Sequence, residues 1–224
     1  MLSAITFDCY GTLVDWEAGI TGFLNEILRE KGATANIPEV VRVREDIDFE
    51  MVQGPYKPYK EILRLSLKET FHRFQIAYKD EDGERLVRSV PTWPIFKETN
   101  MALERLARKN RLGIISNIDK DIIEKTKANL GVQFAITVTA EEAGSYKPTL
   151  APFQLALKKL GTKPTSILHV SSGFRYDIPP ARGLGLKTVW VNRKSEPAPP
   201  SERADHEFEN LNQLADFVER QLAE

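Results

Sequence analysis

The chain has 224 residues, 42% hydrophobic and 28% charged, which excludes a disordered or fibrous polymer and leaves one domain with a sizeable insertion or two small domains. Its formal charge of -1 speaks against a general nucleic-acid binder or a membrane-surface protein. A single cysteine, Cys9, rules out an internal disulfide and suits a reducing cytoplasm; no apolar run is long enough to span a bilayer, and the first residues carry no basic leader.

The first predicted element is a short strand over Ile5–Phe7 that stops at Asp8, in the stretch FDCYGTLVDW. From about Asp15 to Val90 the pattern turns helical ("ITGFLNEILREKG", "EILRLSLKETFHRF"), interrupted at Gly54 to Pro58, and reads as an insertion with junctions near Val14 and near Pro91 to Pro94. Helices and strands then alternate: helix Lys97–Lys109, strand Leu112–Ile115, helix Asp121–Leu130, strand Phe134–Val138 and helix Leu150–Leu160. Strand Ile167–Val170, helix Ile178–Leu184 and strand Thr188–Val191 continue the series; Ser195 to Arg203 is a surface loop and Asn210 to Leu222 a closing helix. Short apolar runs suit strands buried on both faces, and their alternation with helices implies a parallel α/β sheet with right-handed crossovers.

In such sheets ligands bind beyond the carboxyl ends of the strands. Asp8, Ser116 with Asn117, and Ser171 with Ser172 all fall at predicted strand ends, and Lys147 lies in a loop just before a helix. Taken singly, each is an ordinary turn, cap or surface residue. Together they place a carboxylate, hydroxyls and an ammonium on one sheet edge, where Asp8 can serve as a covalent nucleophile and Gly11 permits the tight turn beside it. Cys9 is set aside, because strand neighbours point to opposite faces. His72, His169 and His206 are scattered and lack metal-ligand spacing. "GLGLKT" at Gly183 follows a helix and reads as a helix end leading into a strand.

The order DCYGT, ISN, YKP and VSSGFRYD resembles the haloacid dehalogenase superfamily over essentially the whole chain. That resemblance implies a Rossmann-like parallel sheet flanked by helices with an inserted α-helical cap: residues 1–14 and 92–224 as catalytic core, 15–91 as cap. It implies Asp8 as nucleophile, Thr12 as its hydrogen-bonding neighbour, Ser116 as the second-motif hydroxyl, Lys147 as the third-motif lysine and Asp177 as the fourth-motif acid. Phosphatases of the superfamily carry a second Asp where this chain has Tyr10, and commonly a Gly-Asp where it reads Ser171-Ser172-Gly173. Without those acids the chain makes a poor magnesium site. It is similar instead to the L-2-haloacid dehalogenase branch, which implies no cofactor, an aspartyl-ester intermediate, a small 2-haloacid as substrate and a homodimer.

For substrate binding the resemblance points to a cap arginine, here Arg44 with Arg42 beside it, to Asn117, and to Tyr10, Ser171 and Ser172. The other reading of the two arginines is as exposed partners of Glu45 or Asp48. Trp16, Tyr56 and Tyr59 are candidates for the pocket wall. The chain departs from the branch at two places. Phe153 stands where a tyrosine follows the motif lysine, and Gly173 or Phe174 stands where an asparagine helps place the hydrolytic water. Two other functions stay open: a Mg²⁺-dependent phosphatase of the same superfamily, and a non-catalytic small-ligand binder.

Overall fold

Ala4–Phe7 forms strand β1, every residue of which is fully buried, as an apolar run covered on both faces must be. The computed structural model describes residues 2–200 and 202–221. Among them β1 is joined by β2 (Arg111–Ser116), β3 (Ile136–Thr139), β4 (Ile167–Ser171), β5 (Lys187–Val191) and β6 (His206–Phe208). All pair in parallel in the order β3-β2-β1-β4-β5-β6. The order runs one way from β1 to β3 and the other way from β4 to β6, so the topological switch lies between β1 and β4. Phe7 pairs with both Ile114 and Val170, which sets Asp8 level with the ends of β2 and β4.

The helices in chain order are α1 (Trp16–Lys31), α2 (Ile37–Val52), α3 (Tyr59–Arg73), α4 (Asp80–Ser89), α5 (Thr99–Ala107), α6 (Lys120–Lys127), α7 (Ala140–Ala143), α8 (Ala151–Leu160), α9 (Phe174–Gly183) and α10 (Leu211–Gln221). Side chains alternate across the sheet as the pleat requires. Ile5, Phe7, Ile114 and Val170 face α5 and α10, while Ala4, Ile115, Ile167 and Val138 face α8 and α9. Cys9 lies in the first of these layers, fully buried. The four helices α1–α4 stand between β1 and β2 in the chain and pack on one another. The two chain segments leading into and out of them run side by side: Val14 bridges to Ile95, and the Asp15 N–H donates to the Pro94 carbonyl at 2.8 Å.

The structure departs from the sequence reading at the edges. β3 starts two residues later than expected and ends one later, and β6 is an additional strand whose half-exposed His206-Glu207-Phe208 carries no apolar run. Helix α9 begins at Phe174 rather than Ile178 and contains Pro179 and Pro180. The expected end of the closing helix, Leu222, lies outside the described residues. No helix among the described residues is long and apolar enough to cross a membrane.

Candidate active site

The turn after β1 is shaped by Gly11, whose φ of +102° only glycine adopts readily; a Cβ there would lie 2.8 Å from Ser172 Oγ. That close approach brings the ends of β1 and β4 together and frames Asp8. Asp8 Oδ2 accepts from the Thr12 hydroxyl at 2.9 Å, and Oδ1 accepts from Lys147 Nζ at 2.8 Å. The Thr12 oxygen in turn accepts the Ser172 N–H at 2.9 Å, tying the two strand ends.

Lys147 is almost completely buried, and its three ammonium hydrogens all have acceptors: Asp8, Asp177 Oδ1 at 2.8 Å and the Ile115 carbonyl at 2.9 Å. Its backbone is clasped by Asn117, whose amide donates to the Lys147 carbonyl at 2.9 Å and accepts its N–H at 2.7 Å. Asp177 sits in the first turn of α9 and also accepts from Ser171 Oγ at 2.9 Å and His169 Nε2 at 2.8 Å. Burial pushes the Asp8 carboxyl above the usual aspartate range; the Lys147 ammonium opposes this and the Asp177 charge adds to it. Asp177, although burial works the other way, is held below that range by Lys147 and His169. Lys147, despite its burial, is held above the usual lysine value by Asp177 and Asp8.

This centre opens into a cavity of about 700 Å³ lined by Asp8, Tyr10, Ser116, Asn117, Lys147 and Ser172, and on the far side by Arg44 and Tyr59 of α2 and α3. Arg44 is 3% exposed; its guanidinium donates to Asp48 at 3.2 Å, while its Nε is buried with no partner among the described residues. Tyr59 donates to the same Asp48 at 3.0 Å. Arg42 points to solvent, paired with Asp46. Of the two arginines, Arg44 is therefore the one at the cavity.

Tyr10 lies 2.8 Å from Thr126 Oγ1, whose own hydrogen goes to the Ile122 carbonyl, so the phenol donates to Thr126 rather than toward Asp8. Burial raises its hydroxyl well above the usual tyrosine value.

Two placements, those of Ser171 and Tyr56, correct the sequence reading. Ser171 does not meet the cavity: as the last residue of β4 it is fully buried, and its hydroxyl links Asp177 to the Gly173 N–H. Asn117 reaches the cavity wall, but its carbonyl and one amide hydrogen are engaged by the Lys147 backbone. Of the three aromatics, Trp16 and Tyr59 line the cavity, whereas Tyr56 stands outside it against Tyr146. Sequence reasoning missed His169, which shows only as a polar residue inside the apolar run ILHV, and Asp119, which reads as a helix start.

Asp119 instead caps α3 from across the chain, accepting the N–H of Tyr59 at 2.9 Å and of Lys60 at 2.8 Å. It thus fixes the helix that carries Tyr59 and, through Asp48, Arg44. Asp119→Ala is expected to lower stability by about 1–2 kcal/mol and, if Arg44 binds the ligand, to raise KM several-fold with kcat retained. Thermal melts and steady-state kinetics on the same preparation check this.

Fold and centre together define a doubly wound α/β protein with an acid–lysine–acid cluster at its switch point. The profile of the haloacid dehalogenase-like hydrolases matches residues 2–185, and the chain belongs to that family. It is 26% identical to haloacetate dehalogenase H-2 of Moraxella sp. (strain B), over 97% of this chain and 93% of that protein. It is 28% identical to glyceraldehyde 3-phosphate phosphatase of Methanocaldococcus jannaschii, over 93% of this chain and 82% of that one. The crystal structure of the L-2-haloacid dehalogenase RSc1362 shares the fold, with a TM-score of 0.87 at 23% identity over 97% of this chain and 99% of that one.

The crystal structure of YfnB from Bacillus subtilis, which shares the fold with a TM-score of 0.85 at 15% identity over 97% of this chain and 98% of that one, is bound to magnesium. No group of three or more His, Cys, Asp or Glu among the described residues is arranged to hold a metal, and the acid pair Asp8 and Asp177 already shares the Lys147 ammonium. A hard cation wants several oxygen ligands with carboxylates among them, and these residues do not fit one.

Proposed function

We propose that the protein is a metal-independent dehalogenase of short 2-haloacids, working through an ester on Asp8. One observation carries this reading: the Asp8 carboxylate is held by an ammonium and a hydroxyl, while Tyr10, in the place of a leaving-group acid, is turned to Thr126. A nucleophile so arranged suits a leaving group that departs without a proton, and halide is one. The 26% identity to a haloacetate dehalogenase supports the same substrate class.

In this mechanism an Asp8 oxygen forms a bond to the carbon bearing the halogen as the carbon–halogen bond breaks, and halide leaves with the electron pair. Water then adds to the carbonyl carbon of the Asp8 ester; the carbonyl–oxygen bond breaks, giving the 2-hydroxy acid, a proton and the restored carboxylate. Lys147 and Thr12 hold the attacking group and bear the charge that returns to it. Arg44 receives the substrate carboxylate from the helical cap formed by α1–α4, its free Nε supplying a donor.

The test is halide release from haloacetates and from L- and D-2-haloacids in the presence of chelator, beside phosphate release from an aryl phosphate with Mg²⁺. Halide release in chelator is the expected result. Metal-dependent phosphate release without halide would replace this reading by the phosphatase reading, which the 28% identity to a phosphatase favours.

A further inference from the structure

We infer that His169 is a positioning residue of this site: through Asp177 it holds Lys147, and through Lys147 it holds the nucleophile Asp8. The inference rests on the reading of Asp8 as nucleophile. His169 lies in the middle of β4, fully buried and facing the layer beneath α8 and α9. A polar ring costs stability there unless both nitrogens are bonded. Both are. Nδ1 lies 2.9 Å from the hydroxyl of Thr6, its partner in strand register, and Nε2 lies 2.8 Å from Asp177 Oδ1.

A carboxylate oxygen only accepts, so Nε2 carries a proton whatever the charge of the ring. Thr6 and His169 are thus a matched polar pair on one face of the sheet, and the ring is fixed in the orientation that aims Nε2–H at Asp177. Oδ1 of Asp177 then takes two donors, His169 and Lys147, while Oδ2 takes Ser171. With both carboxylate oxygens anchored, the ammonium that spans Asp177 and Asp8 has one stable position. Phe153 closes the other side, its ring meeting the imidazole edge-on at 5.2 Å and 86°. Phe153 brings no hydroxyl to this contact, and the imidazole is the donor to Asp177.

If His169 merely filled space, phenylalanine would do as well beside Phe153. The experiment compares the intact wild type with His169→Phe and His169→Gln, the second keeping an N–H that can reach Asp177. Expected for His169→Phe is a kcat lowered about 10- to 100-fold with KM within about twofold, because misplacing the reacting groups slows chemistry and leaves the distant carboxylate subsite alone. His169→Gln is expected to recover most of the lost kcat. An unchanged kcat in folded His169→Phe overturns the proposal, as does a loss in kcat and KM together that glutamine does not rescue.

Imidazole nitrogen NMR of the wild type is independent of turnover and of any variant's folding. A His169 ring with a slowly exchanging proton on Nε2 supports the proposal, and a ring protonated on Nδ1 alone overturns it. A wild type that releases no halide from any 2-haloacid would sink the dehalogenase reading separately, leaving the NMR arm to decide the placement of His169.

Discussion

Asp8→Asn is expected to leave the protein folded and to remove halide release by a factor of roughly 10⁴ to 10⁶, the scale on which loss of a covalent nucleophile acts. The substitution keeps the shape of the side chain: its amide oxygen can still accept from Lys147, and its NH2 then faces the Thr12 hydroxyl, which can turn to accept. What it removes is the charge that forms the ester. Full activity in a correctly folded Asp8→Asn protein would mean that water attacks the substrate carbon directly.

Oxygen labelling separates the two routes without a variant. After a single turnover in heavy-oxygen water, attack on the ester carbonyl leaves the label in the Asp8 carboxylate, and the 2-hydroxy acid carries the old Asp8 oxygen. Mass spectrometry of the peptide containing Asp8 reads this, and an unlabelled peptide with labelled product refutes the ester. In the proposed mechanism the attacking form is the carboxylate, and burial raises its proton affinity, so halide release should rise with pH along a limb displaced above the usual aspartate range.

Asp8 and its close partners were legible because strand ends are legible. A short apolar run ending at Asp8, Ser116 or Ser171 has little freedom in a parallel sheet, and the strand register brings those ends to one edge. Lys147 and Asp177 belong to the same edge by the order of loops and strands. The parts that were hidden depend on contacts distant in sequence. Ser171 and Ser172 are indistinguishable until the pleat assigns one to the buried layer and the other to the cavity. Arg42 and Arg44 lie two positions apart on α2, so they face different sides, and only the packing of α3 against α2 selects Arg44. His169 acquires meaning from Thr6, 163 positions away, and Asp119 from α3, about 60 positions away. β6 escaped because an edge strand of three half-exposed residues needs no apolar run.

Lys147→Met should stop turnover and also change the way stability depends on pH. The ammonium lies 2.8 Å from both Asp8 and Asp177 in a nearly dry site, and removing one partner of a buried ionic cluster costs about 3–5 kcal/mol. Two carboxylates left facing each other cannot both ionise, so the variant takes up a proton. Asp8, already raised by burial, is the natural holder, and a protonated Asp8 cannot attack. Halide release is expected to fall by about 10³ or more, with any residual activity confined to higher pH than in the wild type. In the wild type Asp177 is held below its ordinary range, so its contribution is present above the unfolded value and is lost as pH falls through the folded value. Lys147 is held above its own range, so its contribution is present below the unfolded value and is lost as pH rises through the folded one. In Lys147→Met Asp177 joins Asp8 above the unfolded aspartate value, and stability declines more steeply as pH climbs through that range. The gap between the two proteins should therefore be widest near neutrality and narrow on acidification, as measured by urea unfolding across that interval. A gap independent of pH would mean that Lys147 acts by filling space, because only an ammonium that keeps two buried carboxylates ionised makes its own loss depend on their protons.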